Sequence, residues 1–197
     1  MQPDSENEKQ IEYIRPEPRR FSTMENTVLG IVWKRGPCTT YSVMKELQAS
    51  TSTFFRDWAG TVYPIVNRLL KSGYLGCKRK RGSRGEKMVH ITESGNFQLK
   101  IWLTGEVEAP EVAQTVDLLR LRVFYLAAIE PSQRFQFIDD AVLKLEAHKL
   151  HCEEAVKSYR SMDDKFSALA TEGVIHETTS RIEWLKSLKT SLATEEI

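Results

Sequence analysis

Between Gly60 and Ile91 the chain reads GTVYPIVNRLLKSGYLGCKRKRGSRGEKMVHI, and its apolar pattern changes period within that stretch. Val62, Ile65, Val66, Leu69 and Leu70 recur at one-, three- and four-residue spacings, the single buried stripe of an amphipathic helix. Tyr63, Asn67, Arg68 and Lys71 fall on the opposite face, and all four can bond phosphates or base edges. Ser72-Gly73 ends the helix, with glycine where a left-handed cap is usual. Tyr74, Leu75 and Cys77 then read as a strand, KRGSRGEK as an exposed turn, and Lys87 to Ile91 as a returning strand. Proline is tolerated in the first turn of a helix, where the missing N–H has no partner. With Thr61 as cap Pro64 falls in that turn, whereas an earlier start would bring some distortion. The free N–H groups of that end would present Thr61 and Tyr63 to a phosphate.

Two helices are predicted upstream. Ser22 and Glu25 have capping-box spacing, and Val28, Leu29, Val32 and Trp33 form the buried stripe of a helix that Arg35-Gly36-Pro37 stops. Trp33 is expected in the core. Thr39 or Thr40 caps a second helix running to about Leu47, with Tyr41, Val43, Met44 and Leu47 partly buried, and residues 49 to 53 are a polar connector. Thr92 precedes a fourth helix with Phe97, Ile101 and Trp102 directed inward. The order helix, helix, helix, strand, turn, strand is that of a helix-turn-helix with a wing.

From Ala109 onward only helical periodicity is present. One helix is expected from Pro110-Glu111 through Val112, Val116, Leu119, Val123, Phe124 and Leu126 to the break at Glu130-Pro131-Ser132. Phe135, Ile138, Val142, Leu145, Cys152, Val156 and Tyr159 follow at alternating three- and four-residue gaps, with Lys149 in one place of the repeat. After Met162-Asp163-Asp164, Ile175, Thr178, Ile182, Leu185, Lys189 and Leu192 resume it. Two long helices joined by a short turn pack antiparallel. The first seam is expected to stay partly open in a monomer and so to join a second subunit. The fold class is therefore mainly α with a two-stranded wing, in three regions: a disordered tail (1–20), a winged helix-turn-helix domain (21–104) and a helical dimerisation domain (110–197).

Charge sharpens this division. The chain is near neutral at +1, but residues 21–100 hold 13 Lys and Arg against 5 acids, whereas residues 110–197 hold 11 against 15. A polyanion would meet only the first half. Lys78 to Lys87 alone contains six basic residues and one acid. The 197 residues, 41% of them hydrophobic, suffice for two small cores, and no apolar run approaches the ~20 residues that cross a bilayer. The first ten residues lack the apolar centre of a secretory signal, and Cys38, Cys77 and Cys152 form no disulfide or metal pattern, so a reducing cytoplasm is expected.

The segments VLGIVWKRGPCTTYSVMKEL, WAGTVYPIVNRLLKSGYL and KMVHITESGNFQLKIWL together resemble the PadR-like transcriptional regulators. Gly60-Thr61-Val62-Tyr63-Pro64 and Thr92-Glu93-Ser94-Gly95 are the most specific parts, and the match covers residues 22 to 104. The later helices resemble the virulence-activator C-terminal domain appended in longer members. The resemblance implies a homodimeric winged helix repressor or, less often, an activator, with Tyr63 on phosphate and the Asn67 helix in the major groove. Thr40 departs from the small residue or glycine usual before the second-helix tyrosine.

The expected DNA-facing set is Thr39, Thr40 and Tyr41 on the second helix, Thr61, Tyr63, Asn67, Arg68 and Lys71 on the third, and Arg79, Lys80, Arg81, Arg84 and Lys87 on the wing. The partners expected are double-stranded DNA and a second copy through the C-terminal helices, with no membrane. Some members of the family bind planar aromatic compounds at the dimer centre, for which Trp102 is the candidate lining residue. Its structural alternative is core packing. The alternative function is a small-molecule or metal sensor in which DNA binding is secondary. His148, His151 and Cys152 lie within one turn, but separated single ligands without CxxC or HExxH spacing are weak evidence. No metal, cofactor or catalytic group is expected: nucleophile elbow and phosphate loop are missing, and Asp139-Asp140 and Asp163-Asp164 read as surface and turn acids.

Overall fold

A computed structural model of the chain describes residues 20–79, 87–112 and 117–195. The chain forms two compact units, residues 1–46 with 59–104 and residues 47–58 with 105–197. The tail before Arg20, the wing tip at 80–86 and Val116 lie outside the described residues.

The first unit begins with α1 (Thr23–Arg35). Ser22 Oγ accepts from the Glu25 N–H at 3.2 Å, and the Glu25 carboxylate accepts from the Ser22 N–H at 3.0 Å, closing the expected capping box. Thr39 rather than Thr40 caps α2 (Thr40–Gln48), its hydroxyl accepting from the Ser42 N–H at 3.0 Å. The polar connector leads not directly to the expected third helix but into α3 (Thr53–Trp58), followed by a 3-10 turn (Ala59–Thr61) that runs into that helix, α4 (Val62–Lys71). Thr61 therefore has helical backbone angles and makes no side-chain cap, because the preceding turn already supplies helical geometry. Pro64 still falls in the first turn of α4, where its missing N–H costs nothing.

Val62, Ile65, Val66 and Leu69 of α4 are buried with Val28, Leu29 and Val32 of α1 in the core. Each such fully buried side chain contributes about 1.5–3 kcal/mol. Strands β1 (Leu75–Arg79) and β2 (Lys87–Ile91) pair antiparallel, from Leu75 with Ile91 to Arg79 with Lys87. An isolated bridge adds Cys38 to the outer side of β2, with bonds of 3.0 and 2.8 Å to Val89. Helix α5 (Glu93–Thr104) closes the unit. Thr92 Oγ caps it by accepting from the Gly95 N–H at 3.1 Å, and lies 2.7 Å from the Gly73 carbonyl oxygen.

The second unit holds α3, α6 (Ala109–Val112), α7 (Leu118–Val123), α8 (Pro131–Ser161) and α9 (Lys165–Glu195). The single helix expected over residues 110–126 is broken. Among the described residues of its stripe Leu126 is buried, Leu119 and Val123 are half-buried, and Val112 and Phe124 are exposed. Asp117 caps α7, accepting from the Leu119 and Arg120 N–H groups at 3.1 and 3.2 Å, and pairs with Arg181 of α9 at 2.8 Å. Burial alone would raise its carboxyl, but those N–H bonds and the two guanidinium charges outweigh it and hold Asp117 below the usual range.

Helices α8 and α9, 31 residues each, form the expected antiparallel hairpin. Asp139 pairs with Lys189 at 2.5 Å, Glu146 with Lys186 at 2.9 Å and Arg160 with Glu172, which fixes the register. The heptad seam is not left open. Ile138, Leu145, Cys152 and Val156 are buried within the chain, as are Thr178, Ile182 and Leu185 of α9. Phe137 takes the core place expected for Phe135, which is half-buried.

Candidate nucleic-acid interface

Burial of Val62, Ile65, Val66 and Leu69 leaves Tyr63, Pro64, Asn67, Arg68 and Lys71 exposed on α4. Tyr63, Asn67 and Lys71 are spaced four apart and share one outward stripe. Helix α4 ends in a Schellman arrangement. The Gly73 N–H bonds the Leu70 carbonyl at 3.2 Å, the Tyr74 N–H bonds the Leu69 carbonyl at 3.0 Å, and Gly73 has φ +76°. The chain reverses there directly into the wing. Lys78 and Lys87 are exposed on the paired strands, and Arg79 sits opposite Lys87. The expected wing contacts Lys80, Arg81 and Arg84 lie outside the described residues.

On α2, Thr40 is half-buried and Thr39 spends its hydroxyl on the cap, 2.9 Å from Ser42 Oγ. Tyr41 is exposed, not partly buried as expected, because the core positions of this short helix are Val43 and Leu47. Lys45, which sequence reasoning passed over, lies one turn on with its ammonium 5.6 Å from the Tyr41 ring centre. The four-residue spacing of Tyr41 and Lys45 was the available signal. Thr61 is half-buried at the end of the 3-10 turn. Arg68 is engaged by the fold: its Nε donates to Glu25 Oε1 at 2.9 Å.

The aromatic residues depart most from expectation. Trp33, expected in the core, is 61% exposed, and Phe97, expected inward, is 67% exposed. Ile101 and Trp102 are exposed as well, because the buried face of α5 consists of Gly95 and Leu99 alone. Trp33, Tyr74, Phe97 and Ile101 line an open groove of about 890 Å³, and Trp102 is not among its lining residues. In the second unit, Cys152 Sγ lies 3.7 Å from His148 Nε2. Burial lowers His148, helped by the charges of His151, Arg56 and Arg181, and burial raises Cys152. Among the described residues no three His, Cys, Asp or Glu side chains converge as metal ligands, and no helix is long and apolar enough to cross a membrane.

Helices α1, α2 and α4, the last facing outward, together with a two-stranded flap define a winged helix-turn-helix protein. Residues 28–101 match the transcriptional regulator PadR-like family, so the chain carries a PadR-like domain. No curated protein matches the sequence. Bacillus subtilis PadR in complex with operator DNA superposes with a TM-score of 0.74 at 17% identity, over 87% of this chain and 99% of that one. The same protein in complex with p-coumaric acid gives 0.72 at 17% identity, over 86% and 95%. The Vibrio cholerae virulence activator AphA gives 0.67 at 15% identity, over 88% and 99%. At these identities the likeness is one of fold, and it extends through the helical C-terminal region.

Proposed function

We propose that this chain is a sequence-specific DNA-binding transcriptional regulator, acting as a homodimeric repressor on a pseudopalindromic operator. The observation that carries the reading is the outward face of α4. Tyr63, Asn67 and Lys71 make one polar stripe clear of the core, and it leads within three residues to a basic wing. A helix of this width fits the major groove, where asparagine can bond an adenine edge while tyrosine and lysine hold phosphates. The PadR-like domain match supports the same reading.

The dimer is assigned to the second unit. With the heptad seam closed inside the chain, Leu143 and Leu150 are left exposed one heptad apart on α8, and Phe166 and Leu169 are exposed on α9. Uncovered apolar groups at such spacing mark an interface. Relief by a small aromatic ligand belongs to the proposal, and the aromatic walls of the Trp33 groove offer such a ligand stacking surfaces. Genomic fragments retained by the purified protein would identify the operator, and a salt titration would measure phosphate neutralisation. Binding indifferent to salt, or no fragment enriched over the input, would overturn the reading.

A further inference from the structure

Glu25 does two things at once. Its Oε2 accepts from the Ser22 N–H at 3.0 Å and lies 3.1 Å from the Ser22 hydroxyl oxygen, which secures the start of α1. Its Oε1 receives Arg68 Nε, 43 residues later in the chain, at 2.9 Å. The carboxylate side chain is 3% exposed whereas the arginine is 49% exposed, so the pair runs from the interior out to the surface of α4. A carboxylate held this deep stays charged only with hydrogen bonds and a countercharge around it. An arginine offers five donors in a rigid planar fork. One of them, the Nε–H, is taken up here, and the Nη groups make no hydrogen bond among the described residues. Arg68 also follows Asn67 directly on the exposed side of the helix.

We propose that Glu25 is a positioning residue for DNA binding: it holds the Arg68 guanidinium by Nε so that the Nη edge is already aimed at a backbone phosphate beside the groove that α4 enters. A free arginine side chain loses rotamer freedom on being fixed, and that loss opposes binding. Anchoring at Nε moves that cost from binding to folding, which is preorganisation of a single contact. The same bond ties α4 to the cap of α1, so the phosphate site and the seat of the helix share one carboxylate. This inference rests on the reading that α4 meets DNA.

The test uses the full chain and a random-sequence duplex, because a phosphate contact is indifferent to sequence. Arg68→Ala should weaken binding roughly tenfold, the loss of one charge-assisted hydrogen bond. It should also lower the slope of log affinity against log salt by about 0.9 per subunit. Glu25→Gln keeps the size of the side chain and an acceptor for Nε. It should weaken binding several-fold in the native background and have no effect when Arg68 is already alanine. A merely structural glutamate would give the opposite pattern, with equal losses in both backgrounds, and that result would overturn the proposal. So would an Arg68→Ala protein whose affinity and salt slope match the unaltered chain. Arg68→Lys retains charge without the fork, and should recover the slope but not the affinity. Should the unaltered chain fail to bind any duplex at low salt, the DNA reading itself falls and the proposal with it, an outcome distinct from binding that ignores both substitutions.

Discussion

Replacing Gly95 by alanine sets two effects against each other. Alanine favours a helix over glycine by about 1 kcal/mol in an interior position, and less in a first turn. The added methyl, however, would lie 2.2 Å from the Tyr74 carbonyl oxygen and 2.7 Å from Ile91 Cγ1. The first is backbone, and it is already held, accepting from the Thr92 N–H at 3.2 Å and lying 3.0 Å from the Thr92 hydroxyl. Relief of the clash requires α5 to move off the strand junction, and overpacking of this kind costs about 1–3 kcal/mol. The clash should win, for a net loss of about 1–2 kcal/mol. Gly173 supplies the control. It lies within α9, and a methyl there would meet nothing within 4 Å. Gly173→Ala should therefore stabilise by about 0.5–1 kcal/mol. In thermal unfolding followed by circular dichroism, the two variants should move in opposite directions, by about 2–4 °C for each kcal/mol. A Gly95→Ala protein at or above the melting point of the unaltered chain would refute the argument.

Asn67→Ala should relax the selected consensus at one position of each half-site, a loss of about 1–3 kcal/mol of discrimination, while Tyr63→Phe should weaken all sequences alike; an unchanged consensus after selection from a random pool would remove Asn67 from readout. Replacing both Arg81 and Arg84 by alanine should flatten the salt dependence of DNA binding, by about 0.9 in slope for each phosphate that is no longer neutralised; a slope equal to that of the unaltered chain would take the wing tip off the backbone. Leu143→Glu with Leu150→Glu should give monomers in sedimentation without loss of helix content, since both side chains are exposed; an unaltered dimer would place the interface elsewhere. Asp117 has a depressed carboxyl, so its contribution to stability is present above the unfolded value near 4 and is lost as pH falls through the lower folded value. Urea unfolding should accordingly show Asp117→Asn less stable than the native chain at neutral pH, with the gap closing in acid; a gap constant with pH would exclude this linkage.

The parts legible in the sequence were those specified by local pattern. The Ser22–Glu25 box, the stripe of α4 and the turn at Gly73 each depend on residues a few positions apart, and the strand pair on two neighbouring runs joined by one turn. Features set by distant partners were not legible. Nothing near Arg68 points to Glu25, and nothing near Cys38 announces a bridge to Val89. Helix α5 misled because Phe97, Ile101 and Trp102 are large and apolar, whereas close approach at Gly95 gives the buried face to the smallest residue. The heptad of α8 was legible, but periodicity gives a seam and not its occupant, which is α9 of the same chain.

The glycine corner after α4 carries a mechanical consequence. Only residues 72–74 separate Lys71 from the first strand residue, and each of the three is held, by Ser72, Gly73 and Tyr74 N–H bonds to α4 carbonyls and by Thr92 against Gly73 and Tyr74. The base of the strand pair is thereby tied to the end of α4, and these bonds set the angle at which the flap leaves the helix. In the DNA-binding role proposed above, such a joint would make binding sensitive to the width from one groove to the backbone of the next. Base steps that narrow or widen that gap would be accepted or refused at positions no side chain touches.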